Sequence, residues 1–306
     1  MSKLTDQSIY LKDAKNIKDM PLDILTKFHL VPFGLSSPRY FTLSNQTSVK
    51  YKILTINNEE VLVIFKAVSM YSIQYIRLLG LPKSTTKNKR LELAVLQLLN
   101  SDPLVREVQA YEDEFNYYNI KPSNDYHVDF IVNIKDVLPT LNGRYRSKYR
   151  INKNKEHFIY RDATPEDIFD ILSLTNDWIS NKHNKSERVV KSIFNTIRKN
   201  PNILFTKDFL TQVLYYDDIL FGYSVFSPVD ATLYQYVNIV DTFSTNLPQE
   251  IIKCGNRIMY YYSILHNKDY DFMNFLGDSD NSSDLFQAKL MLYKTYKKIY
   301  RISLKK

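Results

Sequence analysis

Residues Leu141–Glu156 (LNGRYRSKYRINKNKE) place Arg144, Arg146, Lys148, Arg150, Lys153 and Lys155 ahead of the first carboxylate, Glu156. Arginine offers phosphate a planar fork of donors and lysine offers a point charge, so such a run can cradle a polyanion. Leu138, Leu141, Tyr145 and Tyr149 recur at helical spacing, which would bury one stripe and leave the cations outside. Gly143 permits a sharp entry, because it has no Cβ. A second basic segment, Leu285–Lys306, carries Lys289, Lys294, Lys297, Lys298, Arg301, Lys305 and Lys306 and no acid. Asp278 and Asp280 sit at the Gly277 turn, where a substrate-binding role competes with turn and capping roles. A solvated surface is the plain alternative for both basic runs.

The formal charge of +8 is concentrated in those two segments, and the rest of the chain is net acidic. That distribution points to an anionic partner met at defined places. A hydrophobic content of 44% and a charged content of 24% are those of an ordinary globular protein, and 306 residues suit two cores better than one. With six glycines there is little material for a Gly-rich phosphate loop. Cys254 is alone, so no intramolecular disulfide forms; a buried structural thiol and a reducing, cytoplasmic setting are expected. The few scattered histidines give no metal-ligand spacing. Residues Met1–Met20 lack a signal-peptide core, and no apolar run approaches the ~20 residues a membrane span needs.

The elements that must position these groups follow from periodicity. Lys50–Ile56 and Val61–Val68 form a hairpin about Asn57-Asn58, and Tyr71–Leu79 is a third strand. Pro32, Gly34 and Pro38 punctuate a loop after a short helix at Pro21–Lys27. A helix over Asn88–Asn100 shows Leu91, Val95 and Leu98 or Leu99 on one face, and strands follow at Leu104–Gln109 and Tyr126–Ile134. In the second half, Thr164-Pro165-Glu166-Asp167 opens a helix that buries Trp178, and Ser186–Asn200 is another. Strands at Phe209–Tyr216, Leu220–Phe226 and Thr232–Val240 turn at Asp217-Asp218 and are separated by Pro228. A long helix over Pro248–His266, a strand at Asp271–Phe275, a helix at Asp284–Tyr293 and a last strand at Lys298–Leu304 complete the chain. Both halves read as three meandering strands, a helix and another strand. The expected fold is therefore mixed α+β in two packed domains, residues 1–140 and 141–306, each a mostly antiparallel sheet flanked by helices.

That order in the second half is the order of the GNAT acyltransferase fold. The run from Asp129 to Trp178 resembles the C-terminal domain of bacterial phosphatidylglycerol lysyltransferases and, more distantly, the Fem-type aminoacyltransferases. Gly143, Arg144, Lys148, Arg150, Asn152, Thr164–Asp167 and Trp178 carry the likeness, and Gly277, Tyr293, Lys294 and Tyr296 continue it. It covers roughly Tyr126–Lys306 well and the first half in outline. The resemblance implies tandem GNAT-like domains that move an aminoacyl group from aminoacyl-tRNA to an amine or hydroxyl. It also implies Lys294 as the cation that stabilises oxyanion or phosphate charge, and Tyr293 as the acid for the leaving group. Arg144, Arg146, Lys148 and Arg150 would hold phosphate, with Lys289 and Asp278 as further substrate contacts.

Three departures qualify the likeness. No membrane span accompanies the domain, which argues against a lipid acceptor. The strand before Gly277 reads Met273-Asn274-Phe275 where the family carries carboxylates. After Val240, the sequence DTFSTNLPQEIIKCG lacks the Gly-rich CoA signature, so acetyl-CoA is disfavoured and no cofactor is expected beyond an acylated co-substrate. The partner expected is a nucleic acid, tRNA or DNA. A phage-type transferase that decorates DNA bases, and a catalytically degenerate binding module on the same fold, are the alternatives.

Overall fold

Asn57 and Asn58 take left-handed backbone angles, φ 51° and 65°, and Asp217 and Asp218 do the same at 45° and 62°. Asn and Asp tolerate that region, and a two-residue turn of this hand matches the twist of the strands it joins. Each turn joins two antiparallel strands, Val49–Ile56 to Glu59–Met70 and Leu210–Tyr216 to Ile219–Val229. The structure, a computed structural model, describes residues 7–29, 37–45, 47–70, 73–121, 126–141, 151, 153–181, 187–278 and 297–304. The chain divides into one unit of Met1–Asp129 with Lys297–Lys306 and a second of Phe130–Tyr296. Sequence reasoning drew a single boundary between residues 140 and 141. It did not foresee that the C-terminal strand, Lys297–Ser303, pairs with Val105–Tyr111 in the first unit.

The first unit contains β1 (Lys15–Asn16), α1 (Leu22–Lys27), α2 (Pro38–Ser44), β2 (Val49–Ile56), β3 (Glu59–Met70), β4 (Ile73–Leu79), β5 (Lys83–Ser84), α3 (Lys89–Ser101), β6 (Val105–Tyr111), α4 (Glu112–Tyr117) and the start of β7 (Tyr126–Asn133). β2, β3 and β4 form an antiparallel meander, and β6 runs parallel to β4. The C-terminal strand lies antiparallel between β6 and β7. Asn88 caps α3 by accepting from the Leu91 amide at 3.3 Å. Leu91, Val95 and Leu99 then face Val63, Phe65, Ile76, Leu78 and Val108 in one core. Within α3, Glu92 is 4% exposed. Its carboxylate accepts from the Ser84 amide at 2.7 Å, the Ser84 hydroxyl at 3.0 Å and the Tyr118 hydroxyl, so a buried charge ties β5 to both helices.

The second unit contains α5 (Ile134–Leu141), β8 (Phe158–Asp162), α6 (Ile168–Asn181), α7 (Glu187–Lys199), β9 (Leu210–Tyr216), β10 (Ile219–Val229), β11 (Thr232–Val240), α8 (Gln249–Ile252), α9 (Gly255–His266) and β12 (Phe272–Asp278). Its strands lie in the order β12-β11-β10-β9-β8, all antiparallel except β11 with β12. Consecutive residues of a strand point to opposite faces. Tyr223 of β10 meets Thr175 of α6 through their hydroxyls at 2.6 Å, and Ser224 leads by way of Asn238 to Asn256 of α9. Hence α6 covers one face and α9 the other. On the α9 side, Phe158, Leu214, Phe221, Val240, Ile251, Cys254 and Ile258 form the core. Cys254 is a buried free thiol, as its sequence context suggested. Both units therefore repeat one mixed α/β plan: an antiparallel meander, a helix, and a strand parallel to the third.

Four local expectations change. Pro38 stands in the first turn of α2 instead of breaking the chain, because its missing N–H is not needed there. Pro228 lies inside β10 opposite Leu233, and the chain turns later, at Asp230 with φ 50°. The helix expected over Pro248–His266 is interrupted after Ile252, which sets Cys254 in the core and starts α9 at Gly255. The sequence reading also passed over α4. The helix expected at Asp284–Tyr293 lies outside the described residues.

Two glycines fix how closely β10, β11 and α9 approach. A Cβ on Gly255 would lie 2.5 Å from Val240 Cγ1 and 3.2 Å from Phe221 Cζ, and one on Gly222 would lie 2.8 Å from the Ile239 carbonyl oxygen. Val240 is β-branched and the carbonyl belongs to a paired strand, so neither neighbour yields easily. Gly255→Ala and Gly222→Ala are each expected to lower unfolding free energy by about 1–2 kcal/mol, read by urea denaturation. An unchanged midpoint would show that the helix can lift off the sheet freely.

Candidate functional site

The two units differ where their parallel strands meet. In the first, the pairing of β4 with β6 continues to Leu79, the last residue of β4, opposite Gln109. In the second, β11 and β12 pair only at Thr232–Tyr234 with Phe272–Asn274. From Gln235 to Val240, β11 has no further partner on that side among the described residues. An unpaired strand edge exposes N–H and C=O groups that an extended, amide-bearing ligand can meet. Where the two strands part, Tyr260 of α9 packs edge-on to Phe275 of β12 at 5.0 Å, and both rings are buried.

A buried polar chain stiffens the β11 side. The Gln235 amide donates to Ser224 Oγ at 3.0 Å, Ser224 Oγ donates to Asn238 Oδ1 at 2.9 Å, and Asn238 Nδ2 donates to Asn256 Oδ1 at 3.2 Å. Each amide is held in one orientation by the next, and the chain ends in the first turn of α9.

The loop after β11 has its own chemistry. The Asp241 amide donates to the Phe221 carbonyl at 2.8 Å. Asp241 Oδ1 accepts from the amides of Phe243 and Ser244 at 3.1 and 2.8 Å, and Ser244 Oγ accepts from Asn246 N at 3.1 Å. The amides of Phe243 and Ser244 already serve an internal carboxylate, and that of Asn246 an internal hydroxyl. A pyrophosphate of the kind acyl-CoA carries would meet negative charge where it needs donors. The loop residues present do not fit that group.

Beside this loop is a cleft of about 450 Å³, reached by Asp170 and Asp177 of α6, Asp218 of the β9–β10 turn, and Asp241 and Phe243. No Lys or Arg lines it among the described residues. Its field favours a cationic group such as a protonated amine.

The Thr164–Asp167 motif positions α6, which carries two of those aspartates. The Asp167 carboxylate accepts two bonds from Arg161 at 2.7 Å, one from the Thr164 amide at 2.7 Å and one from the Tyr215 hydroxyl at 2.7 Å. Burial pushes the Asp167 carboxyl up, but the bonds from Arg161, Thr164 and Tyr215 outweigh it and hold the group well below the usual carboxylate range. Tyr215 also donates to Asp170 at 3.1 Å, so the network reaches the cleft wall. Trp178 is buried in the same helix, as expected of a core residue.

Of the residues selected from sequence, Lys294, Tyr293, Lys289, Arg144, Arg146, Lys148 and Arg150 lie outside the described residues. Asp278 is the last residue of β12, and its side chain lies outside the description. Sequence reasoning passed over the unpaired edge of β11, the acidic cleft and the self-capped loop. Only the last had a local signal, an Asp followed two and three residues later by amides it can accept from.

No protein-family model and no curated protein sequence matches the chain. Solved structures do. A conserved protein of unknown function from Bacteroides thetaiotaomicron VPI-5482 aligns at TM-score 0.64 and 14% identity, over 96% of this chain and 99% of that one. FemX aligns at TM-score 0.57 and 10% identity, over 91% and 96%. The C-terminal domain of a protein assigned as a lysylphosphatidylglycerol synthetase, from Agrobacterium fabrum, aligns at TM-score 0.56 and 8% identity, over 93% and 92%. What these likenesses show is the fold alone, two units of one GNAT-like plan in tandem. No described helix is long and apolar enough to cross a membrane.

Proposed function

We propose that this chain is an acyltransferase that moves an aminoacyl or related acyl group, with aminoacyl-tRNA as donor. The observation that carries the reading is the opening between β11 and β12 on a GNAT-type fold, set beside a loop whose amides are occupied by Asp241. The first supports acyl transfer, and the second supports a donor other than acyl-CoA. The acidic cleft supports an amine as acceptor.

In this reading the acceptor is drawn in as an ammonium, releases one proton to water, and attacks the carbonyl carbon of the aminoacyl ester as the neutral amine. A C–N bond forms, the C–O bond to the terminal ribose breaks, and the amine proton ends on the ribose oxygen. Lys294 stabilises the oxyanion, and Tyr293 relays the proton, giving its own to the leaving oxygen and regaining one from the amine nitrogen. The ester is already activated, so positioning supplies much of the acceleration. Arg144, Arg146, Lys148 and Arg150 grip tRNA phosphates, with Lys289 and Asp278 as further substrate contacts.

The test is incubation with radiolabelled aminoacyl-tRNAs and a panel of amine acceptors, comparing the native chain with Lys294→Ala. Label is expected to move to an acceptor, and Lys294→Ala is expected to lower kcat/KM about tenfold or more while the circular dichroism spectrum is kept. Absence of transfer for every amino acid, together with absence of tRNA binding, would remove the tRNA reading.

A further inference from the structure

Glu92 of α3 is a carboxylate that the fold takes out of water without giving it a counter-charge. It is 4% exposed. Its bonds come from neutral donors: the Ser84 amide at 2.7 Å, the Ser84 hydroxyl at 3.0 Å and the Tyr118 hydroxyl. Among the described residues, no Lys, Arg or His stands within ion-pair distance of it. A carboxylate offers about four acceptor positions, and these donors fill three. Buried carboxylates are ordinarily paired with a cation, so a group held in this way has a place for one.

Glu92 borders a cavity of about 280 Å³ within the first unit. Phe28 and His29 beyond α1, Lys83 and Ser84 of β5, and Tyr117 and Tyr118 at the end of α4 help to close it. The tyrosines are a second sign of a cation. Their rings meet edge to face, with centroids 4.9 Å apart. Lysine ammoniums already stand over them, Lys89 at 4.7 Å from the Tyr117 ring and Lys83 at 5.8 Å from the Tyr118 ring. The negative face of an aromatic ring draws positive charge in this way. The lysines of the lining leave Glu92 its charge. Lys83 pairs with Glu114 at 2.6 Å, and Lys87 is exposed at the turn before α3.

We propose that this cavity binds a small organic amine as its ammonium ion, the charged head held by Glu92 and the tyrosine rings and the carbon skeleton filling the rest. A volume of about 280 Å³ lies just under the usual range of ligand pockets, which sets the ligand at the size of a small metabolite. The site belongs to the first unit, whereas the opening and the acidic cleft belong to the second. It does not rest on the acyl-transfer reading.

The experiment is calorimetric titration of the whole chain with n-butylamine, benzylamine and putrescine, and with benzyl alcohol as a neutral match. The chains compared are the native protein, Tyr117→Ala, Tyr117→Phe and Glu92→Gln. Saturable binding of at least one amine is expected, with none of benzyl alcohol. Tyr117→Ala is expected to weaken it about tenfold or more and Tyr117→Phe to keep it, since the ring and not the hydroxyl meets the cation. Tyr117 is 51% exposed, so its loss leaves the fold intact, which circular dichroism checks. Glu92→Gln keeps a side-chain oxygen for Ser84 and removes the charge. With the variant shown folded by its urea midpoint, a loss of affinity of about tenfold or more is expected there too. No saturable amine binding, benzyl alcohol bound as tightly as benzylamine, or an amine affinity that Tyr117→Ala leaves unchanged would overturn the proposal. The last result would place the bound amine in the acidic cleft of the second unit instead.

Discussion

Asp167→Ala is expected to lower unfolding free energy by about 3 kcal/mol at pH 7, near the lower end of what breaking a buried charge pair costs. The carboxylate is 4% exposed and accepts from Arg161, Thr164 and Tyr215. Removing it strands the Thr164 amide at the entry to α6 and leaves Arg161 without its bidentate partner. Arg161 is 41% exposed and can rehydrate, which keeps the loss from the top of the range. Asp167→Asn retains an acceptor for the Thr164 amide and should lose about half as much. The sign with pH follows from the direction of the shift. The folded-state value lies below the ordinary 3.8, so the contribution is complete above about pH 4 and is lost as pH falls through the folded value. Native protein and Asp167→Ala should therefore converge in stability in strong acid. Urea midpoints across that range measure it, and a difference under about 1 kcal/mol at pH 7 would show that α6 is anchored elsewhere.

Lys66→Met is expected to act the other way and stabilise the protein by about 2–3 kcal/mol at pH 7. Burial, with Arg77 and Arg301, lowers the Lys66 ammonium from 10.5 to about 8. Below pH 8 both folded and unfolded chains carry the proton, and the folded state bears the full penalty of a buried charge. As pH rises from 8 to 10.5, the folded state releases its proton first and stability returns. The advantage of Lys66→Met should accordingly be greatest below pH 8 and vanish by about pH 10.5. Methionine keeps the methylene volume and removes the charge, so packing is preserved. Thermal unfolding at pH 7 and pH 10.5 decides it; a Lys66→Met chain less stable than native at pH 7 would mean that the ammonium is satisfied.

The sequence spoke clearly where structure is set by neighbours along the chain. Asn57-Asn58 and Asp217-Asp218 announced their hairpins, because few residues accept positive φ there. Thr164 announced a helix start as a capping residue before Pro165, and the spacing of Leu91 and Val95 announced the helix that Asn88 proves to cap. The plan of both units, and with it the GNAT-type fold, was legible from the order of those elements. What stayed hidden depends on partners distant in sequence. Nothing in Lys297–Ser303 itself says that it will pair with Val105–Tyr111 of the first unit. Lys66, Arg77, Glu107 and Arg301 read as four unrelated surface charges until register sets them side by side. The unpaired edge of β11 was equally silent, since its residues alternate like those of any buried strand. Pro38 misled for a different reason: one residue type both ends and begins helices, and only the backbone that follows it decides.

The central claim is that the opening in the second unit transfers an acyl group from a donor other than acyl-CoA. The measurement that tests it most directly is a matched pair of assays with the same protein and amine acceptors. One supplies ¹⁴C-labelled aminoacyl-tRNA and the other ¹⁴C-labelled acetyl-CoA. Label is predicted to pass to an acceptor in the first assay and to stay on the donor in the second. Transfer from acetyl-CoA with none from aminoacyl-tRNA would contradict the account, since the Asp241 turn would then have opened its amides to a pyrophosphate.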